Sequence, residues 1–260
     1  VKLSLVINAD TRQTNNEQGA MFNGVVNAEF LTDGLINKIK FFDGFDLEVI
    51  MHIDKHLDID ADTLNFLQSK CDILLIKKHT DENSFNDWNY HRALSLASGD
   101  LVCHFDQDTN AFTSSKNYVD ELISYLDAYK FVSYPSHWTP RAIFDETFGQ
   151  RTWASTRFFI CKRESLKLDE LAECIKEPNY GYNKYGDSPR RCNWTEHFLS
   201  LINNDSVFYP PVELHKGAIF TWSKYKEGTL ASLNQTDYEY VKQWILHMGG
   251  VQYPVDIRCE

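Results

Sequence analysis

The sequence predicts an α/β fold: a mostly parallel sheet with helices on both of its faces. Two observations carry that prediction. Short apolar runs alternate with helix-period segments over the first 108 residues, the pattern of consecutive β-α-β units. Each apolar run also ends abruptly in polar residues, as strands do where a parallel sheet meets solvent.

The elements follow in order. Lys2–Asn8 reads as a buried strand that breaks at Asn8-Ala-Asp-Thr-Arg-Gln. A helical pattern follows from about Glu17 through Lys40, with an interruption expected at Asp33-Gly34. Phe45–Ile53 is a second strand ending in His52-Ile-Asp54-Lys, Asp62–Ser69 a short helix, and Asp72–Ile76 a third strand. A polar loop over Thr80–Asn86 leads to a helix from about Asp87. That helix runs through Asn89-Tyr-His-Arg-Ala-Leu-Ser-Leu-Ala-Ser-Gly99, with Ala93, Leu94, Leu96 and Ala97 mostly on one side and Gly99 read as its end. The strand Leu101–Phe105 comes at once, closing in Asp106-Gln-Asp108.

The second half is less regular. Ser115–Lys130 has a helical pattern, Lys130–Tyr134 a strand stopped by Pro135, Trp153–Cys161 a strong strand, and Ser165–Ile175 a helix. Glu177–Asn193 reads as a long polar and aromatic loop of the lid or acceptor-binding type. Ser206–Tyr209 is strand-like. No internal repeat, low-complexity tract or linker separates independent domains, so residues 1–260 are expected to form one domain of two halves, 1–110 and 111–260.

Composition narrows the function classes. Hydrophobic residues make up 43% of the 260 residues, enough for a sizeable core. The net charge of −11 argues against nucleic acid as the main partner. No apolar run has the length of a membrane span and no signal-peptide pattern opens the sequence, which leads us to expect a cytoplasmic setting. The six cysteines contain no Cys-x-x-Cys pair, so neither a zinc knuckle nor a dithiol redox site is expected; Cys103 and Cys161 fall in apolar runs and read as reduced core residues.

The chemistry is concentrated in Asp106-Gln-Asp108. Two carboxylates two positions apart share a face of an extended chain, where they repel unless a cation lies between them. A hard divalent ion such as Mn²⁺ or Mg²⁺ takes one or two carboxylates together with phosphate oxygens. The triplet alone is weak, since this acidic sequence also holds Asp58-Ile-Asp60. Its setting after a helix, Gly-Asp and a buried strand is far more specific.

On these residues the sequence resembles the nucleotide-sugar glycosyltransferases of the GT-A fold, a Rossmann-like architecture, and in particular their family-2-like group. The matching residues are Asn89, Arg92, Ala97-Ser-Gly-Asp100, Leu101–Phe105 and Asp106-Gln-Asp108, and the match covers about the first 110 residues. The resemblance implies that residues 1–110 bind a nucleotide-diphosphate sugar and 111–260 a glycan or other hydroxyl acceptor. Ala9, Asp10 and Arg12 would line the base and ribose, Asp54 would accept from the base, and Asp106 would serve ribose and metal–phosphate. Asp106 and Asp108 would hold Mn²⁺ or Mg²⁺, with His215 of His215-Lys-Gly217 as a further ligand. For the base that takes the acceptor proton, the corresponding segment begins at Glu196, but His197 stands where the family usually has Asp. Glu196, His197 or Asp187 from the preceding loop is then the candidate, with inversion of the anomeric centre expected. Trp222 is the choice for an aromatic acceptor contact.

Ordinary readings exist beside each of these. Asp10 and Asp54 would also suit as loop acids capping helices, and Glu196 as a first-turn acid favoured by the helix dipole. A metal-dependent phosphohydrolase would normally need more His and Asp ligands in close motifs. A non-catalytic nucleotide-sugar or carbohydrate-binding module on the same scaffold is kept open by the His197 departure. A nucleotidyltransferase would want a Gly-rich loop after the first strand, and Asp10-Thr-Arg-Gln-Thr-Asn-Asn lacks it.

Overall fold

The computed structural model describes residues 1–10, 28–55, 59–78, 87–106, 109–111, 116–133, 143–145, 149–151, 158–176, 207–208 and 219–221. Its centre is a seven-stranded sheet. The strands, in chain order, are β1 (Lys2–Asp10), β2 (Asp46–Lys55), β3 (Ile73–Lys78), β4 (Leu101–Asp106), β5 (Thr109–Ala111), β6 (Phe131–Ser133), β7 (Ile143–Asp145), β8 (Gly149–Arg151), β9 (Phe158–Lys162), β10 (Val207–Phe208) and β11 (Ile219–Thr221). The helices are α1 (Ala28–Phe41), α2 (Ala61–Lys70), α3 (Asp87–Ser95), α4 (Lys116–Ser124) and α5 (Leu168–Lys176).

The central sheet runs β3-β2-β1-β4-β9-β6-β10. Its pairings are parallel except at β9, which lies antiparallel between β4 and β6. The alternation of side chains across β1 explains why the sheet is covered on both sides. Leu3, Leu5, Ile7 and Ala9 join a core with Leu35, Phe41 and Phe42 of and just after α1, Leu67 of α2, and Val119 and Leu122 of α4. Val6 faces the other way, onto Ala93 and Leu94 of α3 and Leu171 of α5. A strand with both faces buried reads as a continuous apolar run, as Leu101–Phe105 does.

Local chemistry sets several element ends. Asp60 caps α2 by accepting from Thr63 N at 2.8 Å and from Thr63 Oγ1 at 2.7 Å. These bonds hold the Asp60 carboxyl below its ordinary range. β2 and β3 are fastened where they begin by the Asp72 carboxylate accepting from Val49 N at 2.8 Å.

Three expectations are corrected. α1 runs unbroken through Gly34, which is buried; a Cβ there would meet Lys38 Nζ at 3.4 Å, and packing outweighs the weak helix propensity of glycine. α3 stops at Ser95, so Gly99 is not its cap, nor does it adopt a left-handed conformation. Gly99 is required for close approach, since a Cβ would lie 2.8 Å from Lys2 O, Ser4 N and Ser4 Oγ. The helix expected over Ser165–Ile175 is a 3-10 turn (Arg163–Leu166) and then α5, divided by Lys167 at φ 46°. Two two-stranded ladders, β7–β8 and β5–β11, stand beside the central sheet and have no counterpart in the sequence pattern. The loop expected over 177–193 and the helix beginning near 196 lie outside the described residues.

Of the described thiols, Cys103 and Cys161 are buried in the core and Cys71 is half-buried against it. Burial, with the neighbouring Asp72 charge, pushes the Cys71 thiol up to about 12, and burial raises Cys103 and Cys161 as well. No described helix is long and apolar enough to cross a membrane.

Candidate functional site

The carboxyl ends of β1, β2 and β4 lie side by side, and their register aligns the polar residues there. Asn8 pairs with His52 on one side and with Asp106 on the other. Strand spacing makes this row about 10 Å across. Two residues further out, Asp10 pairs with Asp54. The apolar interior of the sheet thus ends in a polar edge on three adjacent strands, the place where open α/β sheets bind ligands.

Asp106 is half-buried, whereas the five residues before it on β4 are buried. Its carboxylate is held from the helix side: the Tyr90 hydroxyl donates to Asp106 Oδ1 at 2.9 Å. Tyr90 reaches it from the buried stripe of α3, where it precedes Ala93 and Leu94 at helical spacing. His104, two residues before Asp106 and fully buried, lies with its ring centre 5.4 Å from that of Tyr90 and stacks on Phe159 of β9 at 5.3 Å. Beside them, the buried side chain of Asn89 accepts from Arg92 Nη1 at 3.4 Å.

Asn8 adds an unsatisfied group. Its Oδ1 is buried with no hydrogen-bond partner among the described residues. A buried acceptor left unpaired is costly, and a ligand donor or a cation at this edge would satisfy it.

The expected site residues fall into two sets. Ala9, Asp10, Asp54 and Asp106 are brought to this end of the sheet by β1, β2 and β4, and Asn89 and Arg92 lie on α3, the helix that carries Tyr90. Ala9 is buried in the core shared with α1, so only its backbone is available to a ligand. Arg12, Asp108, Asp187, Glu196, His197, His215 and Trp222 lie outside the described residues. Beyond the β4–β9 ladder, a short pairing joins the two halves beside the triplet: Thr109, which follows Asp108 in the chain, pairs with Thr221, which precedes Trp222. Among the described residues no group of three His, Cys, Asp or Glu side chains gathers as a complete metal site.

Sequence reasoning passes over Tyr90, whereas Asn8 is one of the polar strand ends it expects to converge on the cleft. Tyr90 had a signal, since it extends the apolar stripe of α3 with the one member that carries a hydroxyl. The unpaired state of Asn8 had none.

No protein-family profile matches the chain, and no curated protein matches it in sequence. Solved structures do resemble it. S. aureus TarS, residues 1–349, superposes with a TM-score of 0.50 at 14% identity, over 99% of this chain and 67% of that one. The glycosyltransferase GlyE of Streptococcus pneumoniae gives 0.49 at 9% identity, over 94% of this chain and 49% of that one. A cytidylyltransferase of Leptospira borgpetersenii gives 0.47 at 14% identity, over 97% and 98% of the two chains. The chain therefore spans two thirds of the first and half of the second. The likeness to TarS at 14% identity is likeness of fold, and the fold is the GT-A-like α/β arrangement with its mostly parallel sheet and flanking helices.

Proposed function

We propose that this chain is a metal-dependent glycosyltransferase that moves a sugar from a nucleotide-diphosphate donor to a glycan or other hydroxyl acceptor. The observation that carries the reading is the aligned row of His52, Asn8 and Asp106 at the carboxyl edge of a GT-A-like sheet, with Asp106 anchored by Tyr90. TarS, which shares the fold, is also known in complex with UDP and with UDP-GlcNAc.

The residues at this edge suit a hard cation. A half-buried carboxylate beside a buried, unpaired amide oxygen offers oxygen donors only, the set Mn²⁺ and Mg²⁺ prefer. In our reading Asp106 and Asp108 hold the ion, with His215 as a further ligand. Such an ion, when bound, neutralises charge that builds on the departing diphosphate. Asp10, Arg12, Asp54 and the Ala9 backbone orient the base and ribose, while Asn89 and Arg92 buttress the donor side. Glu196, His197 or Asp187 takes the proton from the acceptor hydroxyl, and attack from the face opposite the diphosphate inverts the anomeric centre. Trp222, one residue beyond the partner of Thr109, offers its ring to the acceptor's C–H face.

The test is a thermal-shift panel of UDP-, GDP- and dTDP-sugars with and without Mn²⁺. A donor at about 100 times its Kd with metal should raise the melting temperature by roughly 5–10 °C when the metal is present, and by clearly less without it. Asp106→Asn and Asp108→Ala should each abolish that metal-dependent rise. Product analysis then separates the classes: nucleoside diphosphate plus glycosylated acceptor supports transfer. Release of inorganic phosphate would mean a phosphohydrolase, and binding without turnover a binding module. No shift with any donor overturns the reading.

A further inference from the structure

We infer that Tyr90 is a positioning residue for the cation-binding carboxylate: its hydroxyl fixes the orientation of Asp106, and a column of buried rings fixes Tyr90. This rests on the proposal that Asp106 is a metal ligand.

The column crosses the sheet. Phe131 of β6 meets Phe159 of β9 edge to face at 5.5 Å, and Phe159 stacks on His104 of β4 at 5.3 Å. His104 leans on Tyr90 of α3 at 5.4 Å, and the Tyr90 hydroxyl reaches Asp106 at 2.9 Å. Every ring in it is buried, and His104 and Asp106 alternate onto the same face of β4. Rings packed in this way lose little further freedom when the hydroxyl makes its bond, so the carboxylate is set before any ligand arrives.

The hydroxyl is the informative atom. A phenylalanine would fill the same space between α3 and the sheet, so core packing alone does not call for tyrosine. What tyrosine adds is a charge-assisted bond to a half-buried carboxylate at the ligand-binding edge. A carboxylate oxygen has two lone pairs, so Oδ1 accepts from Tyr90 without closing the group to a cation. Groups that orient metal ligands in this manner typically govern affinity by 10- to 100-fold.

The experiment measures Mn²⁺ binding to the full chain directly, from the electron paramagnetic resonance signal of free Mn²⁺, with UDP as the accompanying probe. Wild type, Tyr90→Phe and Asp106→Asn are compared, together with metal-free UDP binding and the ligand-free melting temperature. The inference expects Tyr90→Phe to weaken Mn²⁺ about 10-fold or more, while metal-free UDP affinity stays unchanged. A purely structural role would move both constants together, and that result overturns it. Mn²⁺ affinity equal to wild type in Tyr90→Phe also overturns it, while the metal reading survives. Wild type that binds no Mn²⁺ with UDP, or Asp106→Asn that binds it as wild type does, overturns the metal reading and this inference with it. If Tyr90→Phe does not fold, Phe159→Leu loosens the column and leaves the hydroxyl in place. The inference then expects weaker Mn²⁺ binding, and unchanged binding overturns it.

Discussion

Glu48 is a carboxylate that a parallel sheet should not tolerate in its interior, yet it is 8% exposed on β2. Its surroundings explain this. Ser4 donates its hydroxyl to Glu48 Oε2, Ser98 donates its hydroxyl at 2.6 Å and its backbone N–H at 2.9 Å, and Lys2 Nζ lies at 3.0 Å. Burial alone would raise the carboxyl, but these donors outweigh it and hold the pKa at about 2, against an ordinary 4.5. The cluster ties β1 and β2 to the turn before β4, where Gly99 N also donates to Ser4 Oγ at 2.8 Å. Because the folded pKa lies below the unfolded one, the stabilisation is fully present above about pH 4.5 and disappears as pH falls through about 2. Its size at neutral pH is of the order of 3 kcal/mol. Urea unfolding of wild type and Glu48→Gln across that window should show a stability gap that narrows steadily toward pH 2. A gap independent of pH would mean that the carboxylate's charge contributes nothing. At this scale the sequence displays residue types but not their partners. The place of Asp106 at the half-buried end of β4 was legible from the apolar run before it. Gly99 was read as a helix end, when its purpose is contact with Lys2 and Ser4, almost a hundred positions away in the chain.

Among the elements, β4 connects the two cores, and Phe105 is the residue through which α1 is seated on it. Its buried ring lies 4.9 Å from Phe158 of β9, 6.3 Å from Phe41 and 6.4 Å from Phe42 at the end of α1, and 5.7 Å from the ammonium of the buried Lys38. Truncation there removes contacts to two elements, α1 and β9, at once and strips an aromatic face from a buried cation. Phe105→Ala should therefore cost about 3–5 kcal/mol in denaturant unfolding. A loss below about 1 kcal/mol would show that α1 is held elsewhere. The elements of the first half were legible because each announces its own period, two in a strand and 3.6 in a helix. Those of the second half depend on partners. β9 is specified as an antiparallel insertion only by β4 and β6 on either side, and β5 only by a strand about 110 residues later. The division of the 165–175 segment turns on a single left-handed residue, Lys167, a conformation that nothing in a lysine's chemistry announces.

For the molecule as a whole, the charge of −11 acts in opposite directions on the two components of the proposed donor complex. It attracts a divalent cation and repels a nucleotide diphosphate, and both effects are screened as salt shortens the Debye length from about 30 Å at 10 mM to about 10 Å at 100 mM. Between those salt concentrations, Mn²⁺ alone should bind more weakly, and UDP without metal should bind no more weakly and even more tightly. UDP with saturating Mn²⁺ should vary least, because the ion cancels much of the diphosphate charge at the edge where Asp106 and Asn8 lie. Titration calorimetry at two salt concentrations gives all three trends from one preparation. If metal-free UDP instead weakens with salt as Mn²⁺ does, a local group of cations near the site overrides the net field. The donor would then be held by basic side chains rather than through carboxylate-bound metal, and Arg92 and Arg12 would be the first residues to replace.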